Sequence, residues 1–208
     1  MSISFIAESR AWLTACCVLA TSVAWAQTPP SPSRPRLERV RVVEPPRAIG
    51  DFELTNQDGR RFRFSELQGA PVLLFFGFGH CPDVCPAALA KLKLLRESQG
   101  KDLRRLQVVM VSVDGERDTP AVMKAYLARL SSDFIGLTGD PKIVREIAAR
   151  FSAAFWKGPT RGDSGHYLVD HSSQLFLVDG AGRLRAELYD PPVETIAMLA
   201  RAVLNERR

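Results

Sequence analysis

Two cysteines separated by three residues sit in the stretch His80-Cys81-Pro82-Asp83-Val84-Cys85-Pro86, directly behind the apolar run Val72 to Phe78. A thiolate is both a soft metal donor and a nucleophile. A pair at this spacing can therefore converge on one soft metal ion or close into a disulfide. The other two cysteines, Cys16 and Cys17, fall in an apolar amino-terminal stretch. If that stretch is an export leader, Cys81 and Cys85 are the working thiols of a domain in an oxidising compartment.

The elements around the pair read as alternating strands and helices. Phe52 and Leu54, then Phe62 and Phe64, alternate about Asn56-Gln57-Asp58-Gly59, the turn chemistry of a first hairpin. Val72 to Phe78 follows as a buried strand. Pro86 suits the first turn of a helix whose Ala88, Leu92 and Leu95 share a face, and Gln107 to Val113 is a second near-continuous apolar strand. Together they make a βαβ crossover. Thr119-Pro120 and Asp140-Pro141 each start a helix; Met123, Tyr126, Leu127 and Leu130 line the first, and Val144, Ile147, Ala148 and Phe151 the second. Leu175 to Val178 and Leu184 to Leu188 flank Asp179-Gly180-Ala181-Gly182 as a late hairpin. A last helix runs through Ile196, Leu199, Ala200 and Val203. The expected fold is an α/β thioredoxin-like sandwich: a central mixed sheet, an N-terminal hairpin and flanking helices, with the thiol motif after the first central strand.

Composition sets the frame. Of 208 residues, 46% are apolar and 25% charged, enough for one full core. Residues 1–26 read as a signal peptide or N-terminal anchor, with Arg10 in a short polar start, an apolar stretch from Ala11 to Ala24 and Ala24-Trp25-Ala26 as a small-x-small cleavage site. The expected location is therefore exported and periplasmic, with a membrane tether if the leader is retained or Cys16 is acylated in Leu13-Thr14-Ala15-Cys16. Residues 27–47 hold six of the chain's 14 prolines and five arginines against Glu38 and Glu44, the profile of an extended basic linker that can lie on an anionic membrane surface. Residues 48–208 then form the folded domain. The net charge of +5 sits mostly at the chain ends, so the domain is nearly neutral and nucleic acid is not an expected partner.

At the thiol motif the chain acquires a resemblance. Gly77-Phe78-Gly79-His80-Cys81-Pro82-Asp83-Val84-Cys85-Pro86 is similar to the signature of the Sco (SenC) family of copper-assembly proteins. Ser112-Val113-Asp114-Gly115-Glu116-Arg117-Asp118-Thr119-Pro120, Gly136-Leu137-Thr138-Gly139 and Tyr167-Leu168-Val169-Asp170-His171-Ser172 resemble its remaining motifs in order. The likeness spans roughly residues 48–204. Two departures stand beside the site: Gly79, where many relatives carry a hydroxyl residue, and Gly115, where they often carry proline.

The resemblance implies one copper ion per chain, Cu(I) or Cu(II), bound by Cys81, Cys85 and His171. Soft thiolates with one neutral imidazole suit Cu(I). Cys85 at a helix start is expected to have its thiol pKa lowered by the partial positive charge there. Behind the ligands, Asp114 is expected to hydrogen-bond and tune one of them, and Asp83 to organise the turn between the cysteines. His80 reads as a facultative ligand, His166 as loop, Phe155 and Trp156 as core or loop anchors, and Lys157 to His166 as a flap beside His171. Asp170-His171-Ser172-Ser173 contains no proline where thioredoxin-like folds usually carry a cis-proline loop, which favours a metal site.

By resemblance, the function is a copper chaperone delivering copper to the dinuclear copper centre of a respiratory oxidase during its assembly. Its partners would be the copper-receiving oxidase subunit or another cuproprotein, together with other copper carriers. The alternative is an enzyme, a thiol-disulfide oxidoreductase that reduces the partner's copper-ligand cysteines with Cys81 and Cys85 as its catalytic redox pair.

Overall fold

The structure, a computed structural model, describes residues 39–159 and 167–206. The expected leader, Cys16, Cys17, most of the linker, the greater part of the expected flap and His166 lie outside the described residues.

One eight-stranded sheet forms the frame. Its strands are β1 (Val40–Ala48), β2 (Glu53–Asn56), β3 (Arg61–Arg63), β4 (Val72–Gly77), β5 (Gln107–Ser112), β6 (Ile135–Thr138), β9 (Leu175–Val178) and β10 (Arg183–Leu188). Their order across the sheet is β1-β10-β9-β4-β5-β6-β2-β3. The three central strands β4, β5 and β6 run parallel, while β9, β10, β1, β2 and β3 add on antiparallel. A separate two-stranded ribbon joins β7 (Phe155–Lys157) to β8 (Val169–His171). The helices are α1 (Val84–Ser98), α2 (Pro120–Ala128), α3 (Pro141–Arg150) and α4 (Val193–Asn205). Among the described residues no helix is long and apolar enough to cross a membrane.

Sequence chemistry accounts for the element boundaries. Asn56 Oδ1 accepts the amides of Asp58 and Arg60, each at 3.0 Å, and so closes the first hairpin. Asp179 Oδ1 does the same for Ala181 and Arg183 in the late one. Thr119 and Asp140 cap α2 and α3 through their side chains, each with proline in the first turn. All six residues of β4 are buried, as expected of a central parallel strand covered on both faces. On one face Phe76 meets Phe176 of β9 and Phe151 at the end of α3, ring centroids 5.2–5.9 Å apart and edge to face. On the other, Leu89, Leu92 and Leu95 of α1 are fully buried.

Two expectations are corrected. The inner face of α1 uses Leu89, whereas Ala88 is only half-buried. Residues 40–47, expected as the end of the linker, are strand β1, so the folded domain begins well before residue 48. The prolines misled because a central strand rejects them. Here β1 is an edge strand, and its register with β10 shifts between Val42 and Arg47, where Pro45 and Pro46 lie.

Candidate metal centre

Strands β4 and β5 are paired in parallel register and end side by side, Gly77 opposite Ser112. The loops that leave their carboxyl ends therefore share one edge of the sheet, where open α/β sheets collect ligands. From β4 comes the cysteine loop, and from β5 the segment Val113 to Thr119.

The cysteine loop turns at once into α1. Asp83 occupies the N-cap position without a side-chain cap bond, and Cys85 lies in the first turn. Cys85 drops onto the sheet above Gly77: a Cβ on Gly77 would stand 2.8 Å from Cys85 Sγ, 3.0 Å from the Phe75 ring and 3.3 Å from the end of Met110. Glycine at the end of β4 is what lets the sulfur sit there. Cys85 is 1% exposed and Cys81 8%, and the Cys85 amide donates to Cys81 Sγ at 3.4 Å. Both cysteines are free thiols.

The third donor arrives from the ribbon. His171 of β8 pairs with Phe155 of β7, and its ring meets Phe78 edge to face with centroids 5.7 Å apart. His171 Nδ1 lies 3.0 Å from the Ser172 carbonyl oxygen and Nε2 3.6 Å from Cys85 Sγ. A carbonyl oxygen can only accept, so Nδ1 carries the proton and Nε2 turns its lone pair toward the sulfurs. Cys81, Cys85 and His171 each offer a donor atom, and the three lie within 4.8 Å of one another. The set is two sulfurs and one nitrogen; Cys81 and His171 line a groove of about 330 Å³ together with Phe78, Asp83 and Leu168, while Cys85 is buried outside its lining.

Burial overturns one electrostatic expectation. The Cys85 thiol is pushed up from its ordinary pKa, chiefly by desolvation, and a backbone hydrogen bond from Phe78 opposes this only in part. The charge at the α1 terminus does not win, because Cys85 sits beneath the loop and away from water. The metal-free site thus holds a neutral Cys85 thiol, and metal capture there must expel a proton.

The expected supporting residues are placed differently. Asp83 is exposed and organises the turn through its carbonyl, which accepts the Ala87 amide at 3.1 Å, rather than through its carboxylate. Asp114 is buried, but among the described residues it makes no hydrogen bond to Cys81, Cys85 or His171. Its oxygens take the Tyr167 hydroxyl at 2.7 Å and the Arg117 guanidinium. Arg117 in turn donates to the Tyr167 carbonyl at 3.1 Å and stacks 3.7 Å over the Tyr167 ring. Asp114 therefore pins Tyr167, which stands just ahead of β8. His80 stands apart from the three donors, with Nδ1 3.3 Å from Asp118 Oδ1. Phe155 is buried as an anchor, whereas Trp156 is 59% exposed. Asp118, Arg117 and Tyr167 escaped the reading of the sequence as site residues. The signal present was their place inside the quoted motif blocks, where Asp118 reads as part of the approach to the Thr119-Pro120 helix start.

The SCO1/SenC family profile matches residues 41–204 of the chain. The chain belongs to this family. Among Sco relatives, the SCO2-like protein of Rickettsia felis is 35% identical over 160 residues, covering 76% of this chain and 78% of its own. Sco structures superpose on about three quarters of the chain. Bradyrhizobium japonicum ScoI, solved with copper bound, is 35% identical with a TM-score of 0.67 and covers 74% of this chain and 98% of that one. Apo Sco1 from Thermus thermophilus is 39% identical with a TM-score of 0.64, covering 79% and 92%. The thioredoxin-like sandwich with a central mixed sheet is thus the Sco fold, as expected.

Proposed function

We propose that this chain is a copper chaperone: Cys81, Cys85 and His171 hold one copper ion and pass it to the dinuclear copper centre of a respiratory oxidase under assembly. The observation that carries this is the third donor. A redox pair alone needs no imidazole, yet β8 brings the His171 Nε2 lone pair within 3.6 Å of Cys85 Sγ. Copper-bound structures in relatives such as B. japonicum ScoI support the choice of ion. Two soft thiolates favour Cu(I), and a three-donor set leaves room for an incoming ligand.

Transfer follows from the unequal seating of the donors. Cys85 is deepest, Cys81 lies just below the surface, and His171 is half-buried on the ribbon. A partner thiolate enters through the groove and takes the position of the most accessible neutral donor, His171, then displaces Cys81 and finally Cys85. Copper thus changes hands without being free in solution. Reprotonation of Cys85, favoured by its burial, assists the final release.

His171→Ala tests this reading. The expected result is a copper affinity lower by at least about tenfold, with the S₂N spectroscopic signature changed and the fold intact by circular dichroism. Unchanged affinity and spectrum would refute the three-donor site.

A second reading retains support from one contact: the Cys85 amide donates to Cys81 Sγ at 3.4 Å, which holds the two cysteines together as an exchanging pair. In that mode Cys81 attacks a partner disulfide and forms a mixed disulfide; Cys85 then loses its proton and attacks Cys81 Sγ. The partner leaves as a dithiol, and the two electrons it gained leave a Cys81–Cys85 disulfide behind. Burial of the Cys85 thiol slows the resolving step, which favours the chaperone. Reduction of the partner's cysteines by rigorously metal-free protein would reverse that order.

The proposal places the domain in the periplasm, on the export pattern of residues 1–26. Mass spectrometry of the mature protein is expected to find Gln27 at the N-terminus. A retained leader or an acylated Cys16 would make the protein membrane-tethered instead.

A further inference from the structure

Asp118 is fully buried, and its two carboxylate oxygens are unequally satisfied: Oδ1 has only His80 Nδ1 nearby, at 3.3 Å and outside hydrogen-bond alignment. Oδ2 accepts the Gly79 amide at 2.8 Å and the Ser112 hydroxyl at 2.6 Å. Oδ1 makes no hydrogen bond among the described residues. A buried carboxylate oxygen without a donor carries an uncompensated desolvation cost, and a cation beside it removes that cost.

The surroundings of Oδ1 supply further donors. His80 Nδ1 lies 3.3 Å away, and the His80 side chain is 50% exposed, so this corner opens to water. Gly79 adds no side chain here; a Cβ on it would stand 3.0 Å from Oδ1. The buried Asp114 completes a triple, with one ligand atom from each of His80, Asp114 and Asp118 within 4.8 Å of the others. Each Asp114 oxygen is engaged once, by Tyr167 or by Arg117, and keeps a second lone pair.

The distances suit a metal ion. Two donors each about 2.1 Å from one ion stand ~3.0 Å apart at a right angle and ~3.4 Å apart at the tetrahedral angle. The observed 3.3 Å between His80 Nδ1 and Asp118 Oδ1 falls between these. We propose that His80, Asp118 and Asp114 form a second cation site, separate from the sulfurs. It takes a borderline divalent ion, Cu(II) ahead of Ni(II) or Zn(II), with water filling the remaining positions. One imidazole and carboxylate oxygens make a harder donor set than two thiolates, so the two sites sort ions by oxidation state. They share no residue, although His80 and Cys81 are consecutive. The proposal stands whether or not the sulfur site is a chaperone's.

The test uses the full chain carrying Cys81→Ser and Cys85→Ser, titrated with Cu(II) by calorimetry and followed by electron paramagnetic resonance. The expected result is one equivalent of Cu(II) with hyperfine structure from a single imidazole nitrogen. Adding His80→Ala is expected to lower the affinity by at least about tenfold, while adding His171→Ala leaves it within about twofold. His80 is half-exposed, so its removal does not threaten the fold; Asp118→Asn, checked by circular dichroism, is the confirming variant. Absence of Cu(II) uptake by the serine variant would overturn the site. So would uptake that survives His80→Ala, or that disappears with His171→Ala.

Discussion

Replacing Cys85 with serine is expected to abolish stoichiometric copper binding and the thiolate-to-copper absorption with it. The change removes little volume, and the oxygen can still accept the hydrogen bond from Phe78, so the fold is expected to persist. What is lost is chemistry. A serine hydroxyl is hard and does not ionise near neutral pH, so the set falls from two sulfurs and a nitrogen to one sulfur and a nitrogen. Groups that merely hydrogen-bond to metal ligands typically cost about 10–100-fold in metal affinity when removed, and deleting a ligand from a three-donor site is expected to exceed the upper figure. Metal analysis of the purified reduced variant against wild type, with circular dichroism as the fold control, reads the effect directly. Full copper loading by the variant would mean that Cys85 is not a ligand.

The second large effect is steric. Gly77→Ala puts a methyl group 2.8 Å from Cys85 Sγ, 3.0 Å from Phe75 and 3.3 Å from Met110, in a core with no slack. Overpacking of this kind costs about 1–3 kcal/mol, against about 0.4–1 kcal/mol gained by stiffening the unfolded chain, so the net change is destabilising. The same methyl pushes the sulfur off its seat and is expected to weaken copper binding as well. Denaturant unfolding measures the first effect and copper titration the second. Because the clash is with sulfur, Cys85→Ser in the same chain is expected to recover part of the lost stability, and additive losses would show that the contact with Cys85 is not the cause.

Much of this arrangement was legible beforehand, for reasons that differ by element. The two hairpins announce themselves because Asn56 and Asp179 carry the side-chain oxygens that close them. Helices α2 and α3 begin at cap-proline pairs, and β4 and the Val108 to Val111 stretch of β5 are continuous apolar runs, as expected of doubly covered strands. Strand β1 was hidden because Arg- and Pro-rich composition describes an edge strand and a solvated linker equally well. Strands β7 and β8 are three residues each, too short for any alternation to register.

At the site, the approach of His171 to the cysteines was foreseen only through family resemblance, since long-range pairing leaves no local trace. The direction of the Cys85 shift was misjudged for a related reason. Position in a helix can be read from sequence, but the depth to which the loop buries that position depends on packing against Gly77 and Phe78. The same holds for Asp118: its carboxylate meets the Gly79 amide only because β5 ends beside the cysteine loop.

The ribbon that bears His171 is joined to its neighbour by three residue pairs and belongs to neither edge of the main sheet. The two sulfurs, by contrast, are rooted where β4 meets α1, in the buried core. On the proposed copper role, grip and release would fall to elements of unequal anchorage: a three-pair ladder carries the imidazole, while the thiol pair is rooted in the buried core.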